Sequence, residues 1–410
     1  MRVLLLTYRF PYPPDRGDKV RPWHFARVLA QEHEVHLVSF APRAGEPDGS
    51  QAEPVRSVFR TVTMVPLASL QANIRMAGAL LGQEALQMAL FRSRAMQGAV
   101  RDAMRAIAPD VVYAYHVRMG QYLPLCADAY RILDLADAVS LFMERMIPHR
   151  PPWLRPLLRR EVRLVRDLEA SWPDWAEEAW ITSAADRTAL PPARGGAQPL
   201  VMPNGVDAER FGPLVPAEER DGLLFVGYMG IESQDAVCWL CHEILPQVRR
   251  LVGREVGCRI IGGDAPKQVE RLAAIPGVTV EGYEPELRDA YARAAVVVAP
   301  MRFVAGMQNK VLEAMACEAP VVATPYANEG IGAAPGREIE VAATAEEFAQ
   351  KTAALLLDAE RRRRLGEVAR AFVVARFAWE AAAERVSAIE RGRAGHRQVP
   401  VPVGTAAGAL

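Results

Sequence analysis

Short apolar runs alternate with longer amphipathic stretches along most of the chain, and this alternation predicts strands and helices in turn. In the first half the strand pattern falls at Val3–Thr7, Glu34–Phe40, Thr61–Val65, Asp110–Tyr115, Arg131–Leu135 and Ala179–Thr182, with helices such as Val20–Gln31 and Met96–Ile107 between them. Residues 70–107 are long for a crossover and rich in Met, Gln, Ala and Leu, which predicts two or three helices stacked on the first unit. Pro191-Pro192, Gly195-Gly196 and Pro199 then break the pattern and mark a linker.

A second alternating series follows. Strands are expected at Leu223–Gly227, Val256–Ile261, Val278–Glu281, Ala295–Ala299 and Val321–Thr324. Helices are expected at Asp235–Val252, Lys267–Ala274, Pro285–Arg293, Gln308–Cys317, Ala345–Asp358 and Ala359–Phe372. A last helix is expected over 378–391, packing back on the first domain, and the Pro- and Gly-rich tail 392–410 is expected to be disordered. The fold class is therefore α/β, with two Rossmann-like, doubly wound parallel-sheet domains over 1–195 and 196–377 facing a cleft. Ligands of such sheets bind at strand carboxyl ends and helix N-termini.

Bulk composition agrees with this division. At 410 residues the chain exceeds one ordinary core, and two domains of about 200 residues are the natural prior. Lys plus Arg and Asp plus Glu both number 49, so no global field argues for nucleic acid and any anion site must be local. The apolar run after Met1-Arg2 is too short for a signal-peptide core. No uninterrupted apolar stretch reaches the roughly 18 residues of a bilayer span. The five cysteines sit in apolar contexts, as reduced thiols of a cytoplasmic protein would.

The densest chemistry lies in Gly306-Met307-Gln308-Asn309-Lys310-Val311-Leu312-Glu313-Ala314-Met315-Ala316, which reads as a loop entering a helix. Free N–H groups and the positive dipole end suit a diphosphate, and Lys310 adds a cation in the first turn. Glu313, one turn on in an apolar row, needs partners if buried, and vicinal ribose hydroxyls are good ones. A solvated Lys and Glu on an ordinary amphipathic helix is the bland alternative.

This stretch resembles the nucleotide-sugar motif of the retaining GT-B glycosyltransferases of family 4. Other landmarks stand in the family's order: Pro203-Asn204-Gly205-Val206-Asp207 with Phe211, Leu224-Phe225-Val226-Gly227, Gly282-Tyr283, and Val297-Val298-Ala299-Pro300. Tyr8-Arg9-Phe10-Pro11-Tyr12-Pro13-Pro14-Asp15-Arg16-Gly17-Asp18-Lys19 is similar to sugar transferases of the exosortase (PEP-CTERM) exopolysaccharide systems. The resemblance implies a first domain on the acceptor side and a second that binds a nucleotide-sugar donor through Arg302, Gly306, Asn309, Lys310 and Glu313. It also implies Asn204 and Gly205 at the domain junction, His116 near the reaction centre, and Arg16, Gly17 and Lys19 in a loop near phosphate or acceptor. Asp134 and Asp137 lie at a strand end, where Asp137 equally suits a helix cap.

Two departures from the family stand out. Ala305 occupies the place of the first Glu of the Glu-x7-Glu element, and Tyr228-Met229-Gly230-Ile231-Glu232-Ser233 replaces the usual Arg and Lys after the Phe-Val-Gly strand. Phosphate neutralisation then falls to Arg302, Lys310 and the first-domain loop. The Cys238-Trp239-Leu240-Cys241-His242 spelling of a haem attachment site sits in an apolar helix and reads as core cysteines. No Gly-x-Gly-x-x-Gly, Walker or Asp-x-Asp sequence occurs, and no metal and no cofactor are expected.

The expected activity is transfer of a sugar, with retention, from a nucleotide-sugar to a glycan or lipid-linked acceptor in exopolysaccharide biosynthesis. A nucleotide-sugar epimerase of the same fold is the alternative. So is a non-catalytic binding partner, motivated by Ala305 and the missing Arg-Lys pair. Met76, Leu80, Leu81, Leu86, Met88, Leu90, Phe91 and Met96, with the basic segment from Trp153 to Arg160, suit either core packing or peripheral contact with the inner leaflet.

Overall fold

The computed structural model describes residues 1–42, 49–67 and 69–379. Two wholly parallel sheets organise it. The first runs in the order β3-β2-β1-β4-β5-β6-β7, from β1 (Arg2–Thr7), β2 (Glu34–Phe40), β3 (Thr61–Val65), β4 (Val111–Tyr115), β5 (Tyr130–Asp134), β6 (Glu178–Ile181) and β7 (Leu200–Val201). The second runs β10-β9-β8-β11-β12-β13, from β8 (Asp221–Val226), β9 (Cys258–Ile261), β10 (Val278–Glu281), β11 (Ala294–Ala299), β12 (Val321–Ala323) and β13 (Glu340–Val341).

The central strands are apolar almost throughout because helices cover both faces of each sheet. Val3, Leu4, Leu5 and Leu6 of β1 and Val296, Val297 and Val298 of β11 are all buried. Each sheet has its own core, and the order of each reverses once, between β1 and β4 and between β8 and β11. A crevice opens at the carboxyl ends of the strands where the order reverses. Tyr8 and His116 stand directly after β1 and β4, and Gly227 and Pro300 directly after β8 and β11.

Most expected strands match to within two residues. β7 and β13, two residues each, escape a pattern argument because they are too short to show a period. β7 belongs to the first sheet, so that sheet reaches Val201, past the boundary expected at residue 195. The helices Val139–Met146 and Arg155–Ala170 were also unanticipated, apart from the basic start of the second. Residues 70–107 do form three helices: Ser69–Leu81, Leu86–Phe91 and Arg94–Ile107.

The chain returns to the first domain at its far end. Trp379 joins the first core, stacks on His24 at 4.6 Å and crosses Phe25 edge-on at 5.8 Å. Gly205 is small for this reason, since a Cβ there would fall on the Trp379 indole. The rest of the helix expected over 378–391, and the tail 392–410, lie outside the described residues.

Candidate active site

The domain junction is tied by one buried chain of polar groups. Arg21, on the Gly17–Leu29 helix, is 1% exposed and gives Nε to Asp134 at 2.6 Å. Its Nη1 bonds the Met202 carbonyl at 2.7 Å and Asn204 Oδ1 at 3.0 Å. Asn204 Nδ2 then donates to Asn309 Oδ1 at 2.9 Å. Asn309 opens the Asn309–Ala316 helix, whose N-cap Gln308 gives no side-chain hydrogen bond to the first turn.

Lys310 stands next on that helix. Its Nζ lies 4.9 Å from the Phe225 ring centroid and 3.8 Å from Met301 Sδ, near the carboxyl ends of β8 and β11. No carboxylate pairs with it among the described residues, and burial pulls its pKa down to about 8. One turn on, Glu313 Oε2 accepts from the Tyr291 hydroxyl at 2.9 Å. Burial pushes its carboxyl up to about 7. A half-buried cation and a half-buried carboxylate about one turn apart thus make no ion pair among the described residues, a state that a ligand would relieve.

Arg302 is placed differently from the expectation. Its Nε and Nη2 bind Asp235 at 2.8 and 2.5 Å, and its guanidinium lies against Trp239. Its charge is already met, so Arg302 does not join Lys310 as an unpaired cation. Gly306 also departs from a simple donor role: its N–H goes to Asp186 Oδ1 of the first domain at 3.0 Å. A Cβ at residue 306, where φ is +71°, would strike the Asp137 carboxylate. Asp137 accepts from Thr182 Oγ1 at 3.1 Å, and burial with the nearby Asp186 charge pushes its carboxyl up to about 7.

On the first-domain side, Arg16 reaches across the cleft and lies 3.5 Å from the Tyr228 ring centroid. Gly17 begins the helix with no atom within 4 Å of where its Cβ would stand. Lys19 is buried and pairs with Asp15 at 3.0 Å, so it shapes the loop rather than facing the cleft. His116 has φ +74°, a strained value for a residue with a Cβ, held by its N–H to the Asp134 carbonyl at 2.7 Å. Its Nδ1 accepts from the Arg118 N–H at 3.4 Å, which leaves Nε2 as the donor. Burial, with Arg118 second, holds the ring well below its usual pKa, so it is neutral at pH 7.

Several participants were not anticipated. Arg145 donates to the Val304 carbonyl at 2.8 Å and pairs with Glu329 at 2.6 Å, bringing a first-domain cation beside Ala305. Asp186, Asp235, Arg118 and Tyr228 are likewise set by contacts far apart in sequence. Among the described residues no cluster of His, Cys, Asp and Glu could hold a metal ion. Cys241 is buried while the adjacent His242 is exposed, so the haem-like spelling forms no joint site.

Residues 220–358 match the family described as glycosyl transferases group 1. No curated protein matches the sequence. Solved structures match over nearly the whole chain and show the GT-B fold. Sucrose-phosphate synthase from Thermosynechococcus elongatus is 17% identical with a TM-score of 0.69, covering 97% of this chain and all of that one. HepE of Anabaena in complex with UDP is 16% identical at 0.64, covering 95% and 100%. S. aureus TarM, as a mutant in complex with fondaparinux, alpha-GlcNAc-glycerol and UDP, is 9% identical at 0.66, covering 95% and 99%.

Proposed function

We propose that the chain transfers a sugar, with retention at the anomeric carbon, from a nucleoside-diphosphate sugar to a glycan or lipid-linked acceptor bound by the first domain. The observation that carries this reading is the Lys310–Glu313 pair. Both are half-buried near the strand-order reversal of the domain that matches group 1 glycosyl transferases, and among the described residues neither makes an ion pair. Lys310 and the uncapped helix start meet the diphosphate, and Glu313 accepts from the ribose hydroxyls. Arg16, carried by the first domain and only loosely paired with Asp18 at 3.4 Å, supplies cationic charge that the replaced motif residues do not, whereas Arg145 is already met by Glu329. As the diphosphate leaves, these cations stabilise its growing charge while the acceptor hydroxyl attacks the same face. Neutral His116 donates from Nε2 to the donor sugar. No protein nucleophile is assigned.

UDP is the first nucleotide to test, because HepE and TarM were both solved with it. Resemblance of the Tyr8–Lys19 segment supports a place in exopolysaccharide assembly. Calorimetry against UDP, GDP, ADP and dTDP, followed by transfer assays with and without acceptors, tests the reading. Conversion of the donor into an isomer without acceptor would make the protein an epimerase, and binding without turnover would make it a non-catalytic partner. Product anomers read by NMR decide retention, and full activity in EDTA is expected.

A peripheral membrane role is part of the same proposal. Met88, Phe91 and Met96 are buried, as core packing requires, but Leu81 is 94% and Trp153 78% exposed. Arg160 bonds the Ala79 and Gly82 carbonyls, which ties the Ser69–Leu81 helix to the basic Arg155–Ala170 helix. No helix among the described residues is long and apolar enough to cross a membrane.

A further inference from the structure

We propose that Arg118 recognises an oxyanion on the acceptor, so that the acceptor is a phosphorylated or otherwise anionic sugar or glycolipid. This rests on the transferase reading above and deepens it by naming the acceptor's charge.

Arg118 lies two residues past His116, at the crevice where the order of the first sheet reverses. Its guanidinium is held from three sides. It lies 4.7 Å from the Tyr8 ring centroid and 5.5 Å from that of Phe91, and its Nε donates to Gln87 Oε1 at 3.2 Å. Tyr8 is itself fixed, against Phe91, Tyr115 and His116 and through its hydroxyl to Asp18 at 3.1 Å. Asp18, the carboxylate beside Tyr8, pairs with Arg9 at 2.9 Å. Among the described residues no carboxylate pairs with Arg118, and neither Nη makes a hydrogen bond.

A guanidinium that serves only as a shelf over aromatic rings needs no fixed orientation. Here Nε is spent on Gln87 and the ring faces set the plane, so four N–H groups of Nη1 and Nη2 stay together as a fork beside His116. That is the arrangement for gripping a phosphate or carboxylate with paired bonds, which a point charge such as lysine does not reproduce. Gln87 and Phe91 come from the Leu86–Phe91 helix, one of the three in the long crossover. The insertion therefore completes the anion site. The donor diphosphate has its own cation, Lys310, in the other domain.

The test uses the full chain saturated with whichever nucleoside diphosphate binds best, so that the donor side is occupied. Inorganic phosphate, glucose 6-phosphate and a short-chain isoprenyl diphosphate are titrated into it, with glucose as the neutral control. Arg118→Gln is expected to lose about 10- to 100-fold in affinity for the anions, the range for charged hydrogen bonds, with nucleotide affinity unchanged. Arg118→Lys is expected to recover only part of the loss. Preference for the isoprenyl diphosphate over glucose 6-phosphate would assign the oxyanion to a lipid carrier, and the reverse order to a soluble sugar phosphate. Equal anion affinity in wild type and Arg118→Gln would overturn the proposal and leave the donor reading standing. If no nucleotide binds, the donor reading falls, and the same phosphate titration of the free chain still decides the role of Arg118.

Discussion

Asn204 donates to the Asn309 carboxamide at 2.9 Å while accepting from Arg21 at 3.0 Å, so one linker side chain joins the first core to the donor helix. Asn204→Ala removes both bonds and leaves a buried guanidinium less satisfied. It is expected to cost about 1–3 kcal/mol in urea unfolding. Arg21→Met, which strands Asp134, is expected to cost more, about 3–5 kcal/mol, the range for breaking a buried pair.

Lys310, with its pKa pulled down to about 8, makes donor binding pH-dependent. A bound diphosphate favours the charged amine, so affinity is highest below pH 8 and falls as pH rises through it. For folding the sign is opposite. The unfolded chain binds the proton more tightly, so the amine disfavours the fold at low pH and ceases to do so as pH rises from about 8 to 10.5. Lys310→Met is expected to stabilise the free protein at pH 7, to weaken diphosphate binding about 10- to 100-fold, and to flatten the pH profile above 8. Calorimetry at pH 7 and 9, with thermal melts, checks all three.

Glu313 gives the mirror case. Its carboxyl is raised to about 7, so its contribution to stability is full below pH 4.5 and is lost as pH climbs through 7. Glu313→Gln is expected to leave stability unchanged at pH 4.5 and to raise it at pH 8 by at most about 3 kcal/mol. Nucleotide affinity should fall over the same substitution by about 1–3 kcal/mol. Loss of stability at pH 8 would show that the carboxylate is structural rather than held ready for ribose.

What the sequence made legible follows how far apart the deciding residues stand. β2, β3 and β10 are read residue for residue because each is a local run between turn signals. The Asn309–Ala316 helix with Lys310 and Glu313 was legible for the same reason. The Arg302–Asp235 pair was not legible because the two residues stand 67 positions apart, and nothing local marks a bidentate pair. Gly306 was expected on the donor side, and the groups that crowd it, Asp137 and Asp186, arrive from the other domain. His116 was placed correctly at a strand end, but its positive φ depends on a bond to β5.

Arg302 and Lys310 can now be ranked. Because Asp235 already occupies the Arg302 guanidinium, Arg302→Ala is expected to reduce diphosphate affinity several-fold less than Lys310→Ala. Asp235→Asn, which releases the arginine, is expected to raise that affinity. Calorimetry with one nucleoside diphosphate compares the three variants directly.

Leu81 and Trp153 test the membrane proposal. The chain is expected to co-sediment with vesicles containing anionic lipid at low salt and to be released at high salt. Leu81→Ser with Trp153→Ser is expected to lower the bound fraction at least about threefold without altering the melting temperature, since neither side chain is buried. Retention equal to wild type would place the contact elsewhere or remove it.

Arg16 rides on one domain and its seat, the Tyr228 ring, belongs to the other. A nucleotide therefore meets that charge only in molecules whose halves have come together. To the extent that binding needs Arg16, measured donor affinity is the closed-site value multiplied by the closed fraction. If roughly one molecule in ten is closed at rest, the apparent dissociation constant is about tenfold weaker than the site alone would give. Substitutions that touch no ligand, such as those at Asn204 or Trp379, will then behave as affinity variants because they change how often the complete site exists.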